Sequence, residues 1–170
     1  MAEIQTSGVP ELAVKYFRSG LYCSEAILRA FNEAYTLGLP ENAYKISTGF
    51  GAGLSKSGCI CGTVAAAAMV MGLAAGRNKS YESESIVFLS VNKIHDRFKE
   101  EHKALCCRVL TRSVVWGSSE HRKQCERFIY DTAEWTEEIM KADMPAENFK
   151  SAPPKKFLKY MLSKLSGRDY

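Results

Sequence analysis

The chain has 170 residues, of which 46% are hydrophobic and 25% are charged, as is typical of one globular domain with its own core. Its formal net charge of +4 lies in the tail, since residues 141–170 hold seven Lys/Arg against three Asp/Glu and residues 1–140 hold sixteen of each. This balance argues against a nucleic-acid-binding body, which would carry a basic face, and no apolar stretch reaches the roughly 20 residues of a membrane span.

Helical periodicity recurs along the chain, and no alternating strand pattern interrupts it. The elements predicted in chain order are helices over 11–18, 23–35 and 40–48, a glycine-rich loop over 49–58, an alanine-rich helix over 61–75, a long amphipathic helix over 83–103, a short helix over 105–111 and a last helix from the WGSSEH segment to 141. The predicted fold class is therefore all-α, an irregular helical bundle with a glycine-rich loop inserted before an alanine-rich helix.

Two units are expected. Residues 1–141 form a helical, cysteine-containing domain, and residues 142–170 form a proline-containing linker and a short basic amphipathic helix over Phe157 to Leu165. A basic amphipathic helix can lie on an anionic membrane, but this one buries little apolar area. We expect it to pack on its own domain or on a second subunit, and the second arrangement would give a homodimer.

The chain contains six cysteines. Its N-terminus has neither the basic nor the apolar region of a signal peptide, so we expect a cytoplasmic protein. In a reducing compartment, several cysteines more often indicate metal binding or catalysis than a disulfide framework. A free cysteine is also a common small hydrophobe of protein cores, and that interpretation fits any one of the six.

Four of the cysteines share a helical pattern. Residues at i+3, i+4 and i+7 lie on the same helix face as residue i. These neighbours are mostly apolar for Cys23, Cys61, Cys107 and Cys125. Each of the four therefore lies on the core-facing stripe of a different predicted helix. The pattern fits a site assembled between helices, and it also fits four ordinary buried cysteines.

The glycine-rich loop favours an assembled site. Its backbone can turn N–H groups toward an anionic centre, and hydrogen bonds to cluster sulfurs help to set the potential of an iron–sulfur centre. We therefore predict cofactor-binding roles for Gly51, Gly53, Gly58 and Gly62. Neither glycine motif for phosphate binding is present, and the absence of C-x-x-C argues against zinc ribbons and thioredoxin-type sites. The three histidines are expected to be solvated or packed rather than metal ligands.

The order and surroundings of the cysteines provide a resemblance. A cysteine opens a helix in YCSEAIL, a glycine loop leads into CGTVAA, and CRVL and CERFIYDTAEW follow. In these segments, over roughly Tyr16 to Met140, the chain resembles the C_GCAxxG_C_C family of redox-active proteins. The resemblance places the family's four cysteines on Cys23, Cys61, Cys107 and Cys125. Thr63 and Ala66 stand where the family motif has alanine and glycine. Cys59 and Cys106 are extras, as spare ligands, resolving thiols or incidental residues.

The resemblance implies a redox role with an iron–sulfur centre. Our leading hypothesis is a small cytoplasmic redox protein whose four matched cysteines ligate a [2Fe–2S] or [4Fe–4S] cluster and which transfers electrons to a partner oxidoreductase. One alternative is metal-free thiol–disulfide chemistry, with Cys59 bonded to Cys61 or Cys106 bonded to Cys107. The other alternative is a non-enzymatic helical binding module whose cysteines lie in the core or hold zinc.

Overall fold

A computed structural model describes residues 8–144 of the chain, and the expected helix at Phe157 to Leu165 lies outside the described residues. The helices are Val9–Arg18 (α1), Cys23–Tyr35 (α2), Lys45–Thr48 (α3), Gly51–Leu54 (α4), Gly62–Ala75 (α5), Ser85–His102 (α6), Cys107–Leu110 (α7) and Ser119–Asp143 (α8), with a 3-10 turn at Glu41–Tyr44. No strand occurs within residues 8–144, which confirms the all-α class. In the same range, no helix combines the length and the apolarity that crossing a membrane requires.

Local sequence explains where several helices begin. Pro10 lies in the first turn of α1, where a missing N–H leaves no hydrogen bond unmade. Before α2, the Tyr22 N–H donates to Glu25 Oε2 at 2.7 Å, so a side chain of the first turn satisfies the incoming backbone. At α8, the hydroxyl of Ser118 accepts the N–H of His121 at 3.1 Å, so a serine side chain caps the start of the helix.

Helix α5 lies at the centre of the bundle and contacts α2, α6 and α8. Its small side chains let the neighbouring backbones approach closely, and they bury a single apolar cluster, called here the alanine core. The alanine core consists of Ala66, Ala67, Val70, Met71 and Ala74 of α5 with Ile27, Phe31, Ile94, Ile129, Ala133 and Met140 of its neighbours. Burying each large apolar side chain contributes about 1.5–3 kcal/mol, so this cluster is a main source of stability.

Polar side chains connect α6 and α8 beside the alanine core. The hydroxyl of the fully buried Ser90 donates to Asp143 Oδ2 at 2.7 Å, and Lys93 Nζ donates to Asp143 Oδ1 at 2.5 Å. Tyr35 of α2 likewise donates to Glu137 Oε1 of α8 at 2.5 Å. These bonds fix the register of α8 against its neighbours at the end of the bundle remote from the cysteines.

The glycine-rich loop makes a left-handed turn between α3 and α5, and this turn includes Ala52 to Leu54 of the short element α4. Five consecutive residues have positive φ: Ala52 (56°), Gly53 (68°), Leu54 (54°), Ser55 (52°) and Lys56 (68°). Each non-glycine residue in this region costs roughly 1–2 kcal/mol, so surrounding contacts must hold the turn. Two of these contacts are backbone hydrogen bonds, from Ser55 N–H to the Gly51 carbonyl at 2.9 Å and from Gly58 N–H to the Gly53 carbonyl at 2.8 Å.

Candidate functional site

Four free thiols line one cavity at the end of the bundle opposite the Ser90 contacts. Cys23 is the first residue of α2, Cys61 directly precedes α5, and Cys107 is the first residue of α7. Cys125 lies in the second turn of α8. All four border a cavity of about 180 Å³, called here the thiol cavity. The structure therefore brings together the four cysteines that the helical pattern assigned to different helices.

The rest of the cavity wall is mainly apolar. Its other contributors include Phe17, Leu21, Ala52, Leu110, Trp116 and Phe128, with Thr63, Thr111, His121 and Arg122 as the polar members. Cys61 and Cys107 are buried, and Cys23 and Cys125 are half-buried. The sulfurs therefore lie in surroundings of low polarity, where each electrostatic interaction is stronger than in water.

Backbone N–H groups point at two of the sulfurs. The sulfur of Cys61 accepts the N–H groups of Thr63 and Val64 at the start of α5, and the Thr63 hydroxyl lies 3.2 Å from it. The sulfur of Cys23 accepts the N–H of Ala52 from the left-handed turn. Such donors stabilise negative charge on sulfur, whether on a thiolate or on a metal ligand. The loop therefore supplies a donor of the predicted kind, but the donor is Ala52 and not a glycine.

Two of the predicted glycines lie so close to cavity cysteines that a side chain in their place would clash with them. A Cβ on Gly62 would lie 2.6 Å from Cys23 Sγ and 2.8 Å from the Phe50 carbonyl oxygen. A Cβ on Gly53, whose φ is +68°, would lie 2.4 Å from Cys107 Cβ and 3.3 Å from its sulfur. Glycine at these positions lets the helix start and the loop approach the thiols at a distance that any side chain would prevent.

The other two predicted glycines lie slightly further from the cavity cysteines. A Cβ on Gly51 would lie 2.6 Å from the Tyr22 ring, next to Cys23 in sequence, and one on Gly58 would lie 2.9 Å from Arg108 Cβ. Both contacts involve a residue that directly neighbours a cavity cysteine. The contacts of all four glycines are steric, and a role in binding a cofactor stays a prediction.

Burial keeps the four thiols protonated in the absence of a positive partner. Burial, together with a smaller contribution from nearby cysteines, raises the pKa of Cys125 to about 12 and that of Cys107 to about 11. Burial also raises the pKa of Cys61 and that of Cys23, with Cys61 and Cys125 adding to the effect at Cys23. Four thiolates would repel one another here, so only a cationic centre among them would make full ionisation favourable.

His121 is a cavity residue that the sequence interpretation missed. Its Nδ1 accepts the Gly117 N–H at 3.2 Å, and its Nε2 lies 3.7 Å from Cys125 Sγ. Burial and the charge of Arg122 lower its pKa, so the ring is neutral near pH 7 and carries its proton on Nε2. His121 is therefore a hydrogen-bond donor to Cys125. The sequence contains a signal for this contact, because His121 precedes Cys125 by four residues and both lie on one face of α8.

The two remaining cysteines form a disulfide with each other. Cys59 and Cys106 are joined across a sequence separation of 47 residues. The predicted alternative pairs, Cys59 with Cys61 and Cys106 with Cys107, are therefore wrong, because Cys61 and Cys107 are free and face the cavity. As long as this disulfide is closed, its sulfurs are not available as the spare ligands considered above.

The four cavity thiols fit a metal cluster of several atoms better than a single metal ion. A zinc ion holds sulfur at about 2.3 Å, which places tetrahedral ligands within about 4 Å of each other. Within residues 8–144, no group of three or more His, Cys, Asp or Glu side chains could hold a metal ion. The four thiols instead surround a hollow, and that arrangement suits thiolates spread over the surface of a cluster.

Fold and site together define a class: an all-α protein with four free thiols around one apolar cavity and a disulfide beside them. The family model described as "Putative redox-active protein (C_GCAxxG_C_C)" matches residues 21–139, a range that contains all six cysteines. The chain belongs to this family, which confirms the resemblance seen in its sequence. No curated protein and no solved structure matches the chain.

Proposed function

We propose that this chain is an electron-transfer protein that holds an iron–sulfur cluster in the thiol cavity through the sulfurs of Cys23, Cys61, Cys107 and Cys125. The observation that carries the proposal is the convergence of four free thiols, from four helices, on one mainly apolar cavity. Four thiolates are the usual ligands of both [2Fe–2S] and [4Fe–4S] centres. The description of the family as redox-active supports the same function.

When bound, the cluster would supply one-electron redox chemistry, and the chain's own residues would adjust it. The N–H groups of Ala52, Thr63 and Val64 donate to two ligand sulfurs. Because these bonds favour the more negative, reduced state, they raise the reduction potential. Phe17, Leu110 and Phe128 border the cavity and limit the access of water and oxygen.

The surface near the cavity favours an oxidoreductase partner with an acidic face. A second cavity, of about 370 Å³, shares Cys107 and Trp116 with the thiol cavity and is bordered by Lys56 and Arg108. Within residues 8–144, neither cation forms an ion pair. Trp116 is 49% exposed. Unpaired positive charge around an exposed aromatic ring suits transient docking of an acidic protein, which high salt should weaken.

Anaerobic purification tests the cluster directly. We expect a coloured protein with equal amounts of iron and acid-labile sulfide, and visible absorption that dithionite bleaches. Cys61→Ser removes one proposed ligand and should abolish iron binding. The matched control is the double variant Cys59→Ser/Cys106→Ser, which removes two cysteines outside the cavity and should retain iron. A colourless, metal-free wild-type protein under these conditions would overturn the proposal.

The same samples distinguish the two alternatives. Zinc without visible absorption, lost on Cys61→Ser, would support a zinc-binding helical module. A metal-free protein whose cavity thiols take up and release two electrons reversibly would support metal-free thiol–disulfide chemistry. A metal-free protein without any such couple would leave a helical module whose cysteines only fill its core.

A further inference from the structure

The Cys59–Cys106 disulfide lies directly beside the proposed cluster ligands. Cys59 precedes Cys61 by two residues, and Cys106 directly precedes Cys107. The disulfide is not required to hold a cavity thiol in place, since the thiols on α2 and α8 have no disulfide beside them. The position therefore indicates a chemical relation between the disulfide and the cavity.

The two segments that the disulfide joins are also held together without it. The Cys61 N–H donates to the Leu105 carbonyl at 2.8 Å, and the Arg108 N–H donates to the Gly58 carbonyl at 3.1 Å. These bonds place segments 58–61 and 105–108 side by side and antiparallel. Ile60 and Leu105, one from each segment, pack against the buried cluster that contains Cys61. Opening the S–S bond therefore leaves both thiols facing each other, which favours rapid and reversible closure.

The disulfide is also open to attack. Cys59 and Cys106 are both half-buried, whereas Cys61 and Cys107 beside them are buried. Thiol–disulfide exchange requires an incoming thiolate to reach one sulfur along the S–S axis, so partial exposure is a condition for it. Of the cysteines on these two segments, the structure thus exposes the pair that can exchange with a partner and buries the pair assigned to the cluster.

We propose that Cys59 and Cys106 form a second redox centre, a dithiol–disulfide couple that reduces disulfide substrates by exchange. In the reduced protein, one of the two thiolates attacks a substrate disulfide and releases the first substrate thiol. The second thiolate then attacks the mixed disulfide, releases the second substrate thiol and re-forms the Cys59–Cys106 bond. Two electrons and two protons pass from the protein to the substrate.

Two one-electron transfers return the oxidised couple to its dithiol form, which is called here the resetting step. These electrons come from a low-potential one-electron donor protein by way of the thiol cavity, and two protons come from water, which breaks the S–S bond and restores both thiols. This resetting step rests on the proposed function, whereas the exchange step needs only the two cysteines. The protein would thus convert single electrons into the electron pair that a disulfide requires.

The exchange step is tested on the full-length, metal-free protein. After equilibration in glutathione redox buffers, alkylation and mass spectrometry should show Cys59 and Cys106 opening and closing together while the fold remains intact by circular dichroism. Cys59→Ser and Cys106→Ser each leave one thiol, and the variant that keeps the attacking thiol should trap a mixed disulfide. Glutathione disulfide and an oxidised two-cysteine peptide, used as separate probes, distinguish a small substrate from a protein. A bond that opens only in denaturant, or no trapping by either variant, would overturn the proposal.

The resetting step needs a second measurement. Anaerobically reconstituted protein is treated with reduced viologen, and the labelling of Cys59 and Cys106 is compared with that of Cys61→Ser. We expect labelling in the iron-loaded protein and a loss of it in the variant. Equal labelling in both would disprove the electron path through the cavity but leave exchange intact. Failure to load iron would count against the cluster alone, because the trapping experiment does not depend on metal.

Discussion

The two ends of α5 lie in opposite kinds of surroundings. From Ala66 to Ala74 the helix is enclosed by long regular helices that bury apolar side chains against it. At Cys61 and Gly62 it meets a left-handed turn, a disulfide and the four-residue helix α7. Regular packing supplies the free energy of folding. Part of it offsets the backbone strain of the irregular end, which holds the sulfur atoms in position.

Removing the disulfide should have the largest effect on stability. The bond closes a loop with a sequence separation of 47 residues, and the lost chain entropy corresponds to about 4 kcal/mol in the unfolding free energy. We expect Cys59→Ser/Cys106→Ser to be less stable than the oxidised wild type by up to that amount in urea unfolding. Wild type kept in dithiothreitol is the control and should match the variant. Equal stability of the oxidised wild type and the variant would show that the bond does not constrain the unfolded chain.

Two glycines of α5 provide a matched test of its two ends. Gly62→Ala places a Cβ 2.6 Å from Cys23 Sγ and should destabilise the protein by about 1–3 kcal/mol, because the carbonyl of Phe50 blocks relief on the other side. Gly72→Ala places its Cβ where no atom beyond the local helix backbone and its two chain neighbours lies within 4 Å. It should stabilise the protein by about 0.5–1 kcal/mol, since alanine is the better helix former.

Thermal unfolding and the alkylation rate of Cys23 measure both variants. Only Gly62→Ala should change the alkylation rate, because only its methyl group displaces a thiol. If both alanines were tolerated equally, the close approach of α5 to the cavity sulfurs would be disproved.

Asp143 tests the electrostatics at the end of the bundle away from the thiols. Burial acts to raise its pKa, but hydrogen bonds from Lys93 and Ser90 outweigh burial, and the pKa lies below its ordinary value. A depressed pKa means that its stabilising contribution is present above the unfolded value, near 3.9, and is lost as the pH falls through the folded value. Asp143→Asn should therefore cost roughly 1 kcal/mol at neutral pH, because the side chain of Lys93 is 44% exposed and solvent screens its charge.

Urea unfolding at several pH values measures this contribution. The difference between wild type and Asp143→Asn should shrink in strongly acidic buffer, where the wild-type carboxyl is protonated. A difference that stayed constant from neutral to strongly acidic pH would contradict the assigned ionisation of Asp143.

A small effect of the opposite sign, a gain in stability, is expected in the left-handed turn. Lys56 has a φ of 68° and an exposed side chain, so Lys56→Gly should remove backbone strain and stabilise the protein by about 1 kcal/mol. Lys56→Ala is the control, because it removes the same charge but keeps the Cβ, and it should give no such gain. Chemical unfolding of the two variants side by side measures the difference. Equal stability of both would mean that the turn is not strained at this position.

The regular end of the molecule was largely predictable. Apolar spacing places α2 at 23–35, as observed, and predicts a helix from Cys61 that begins one residue later, at Gly62. The inward direction of the four cavity cysteines follows from the same spacing, because each shares a helix face with apolar residues. Helical periodicity is a local property of the sequence, so it can be recognised without knowledge of the tertiary structure.

The irregular end was less predictable, for physical reasons. Non-glycine residues such as Ala52 and Leu54 rarely adopt positive φ, and only tertiary contacts impose it here. The disulfide joins Cys59 to a cysteine 47 residues away because two distant segments pair through their backbones. Proximity in sequence favoured the wrong partners. Family membership is established over residues 21–139.

The dispersal of the cavity thiols has a consequence for biosynthesis. The set begins with Cys23 and is completed only by Cys125, so the ribosome must reach the second turn of α8 before the nascent chain contains all four sulfurs. Domains generally fold as units, so the earlier cysteines remain without their partners until the chain reaches Cys125. Loading of the proposed cluster would therefore require synthesis past Cys125, and products truncated before that residue should carry no cluster.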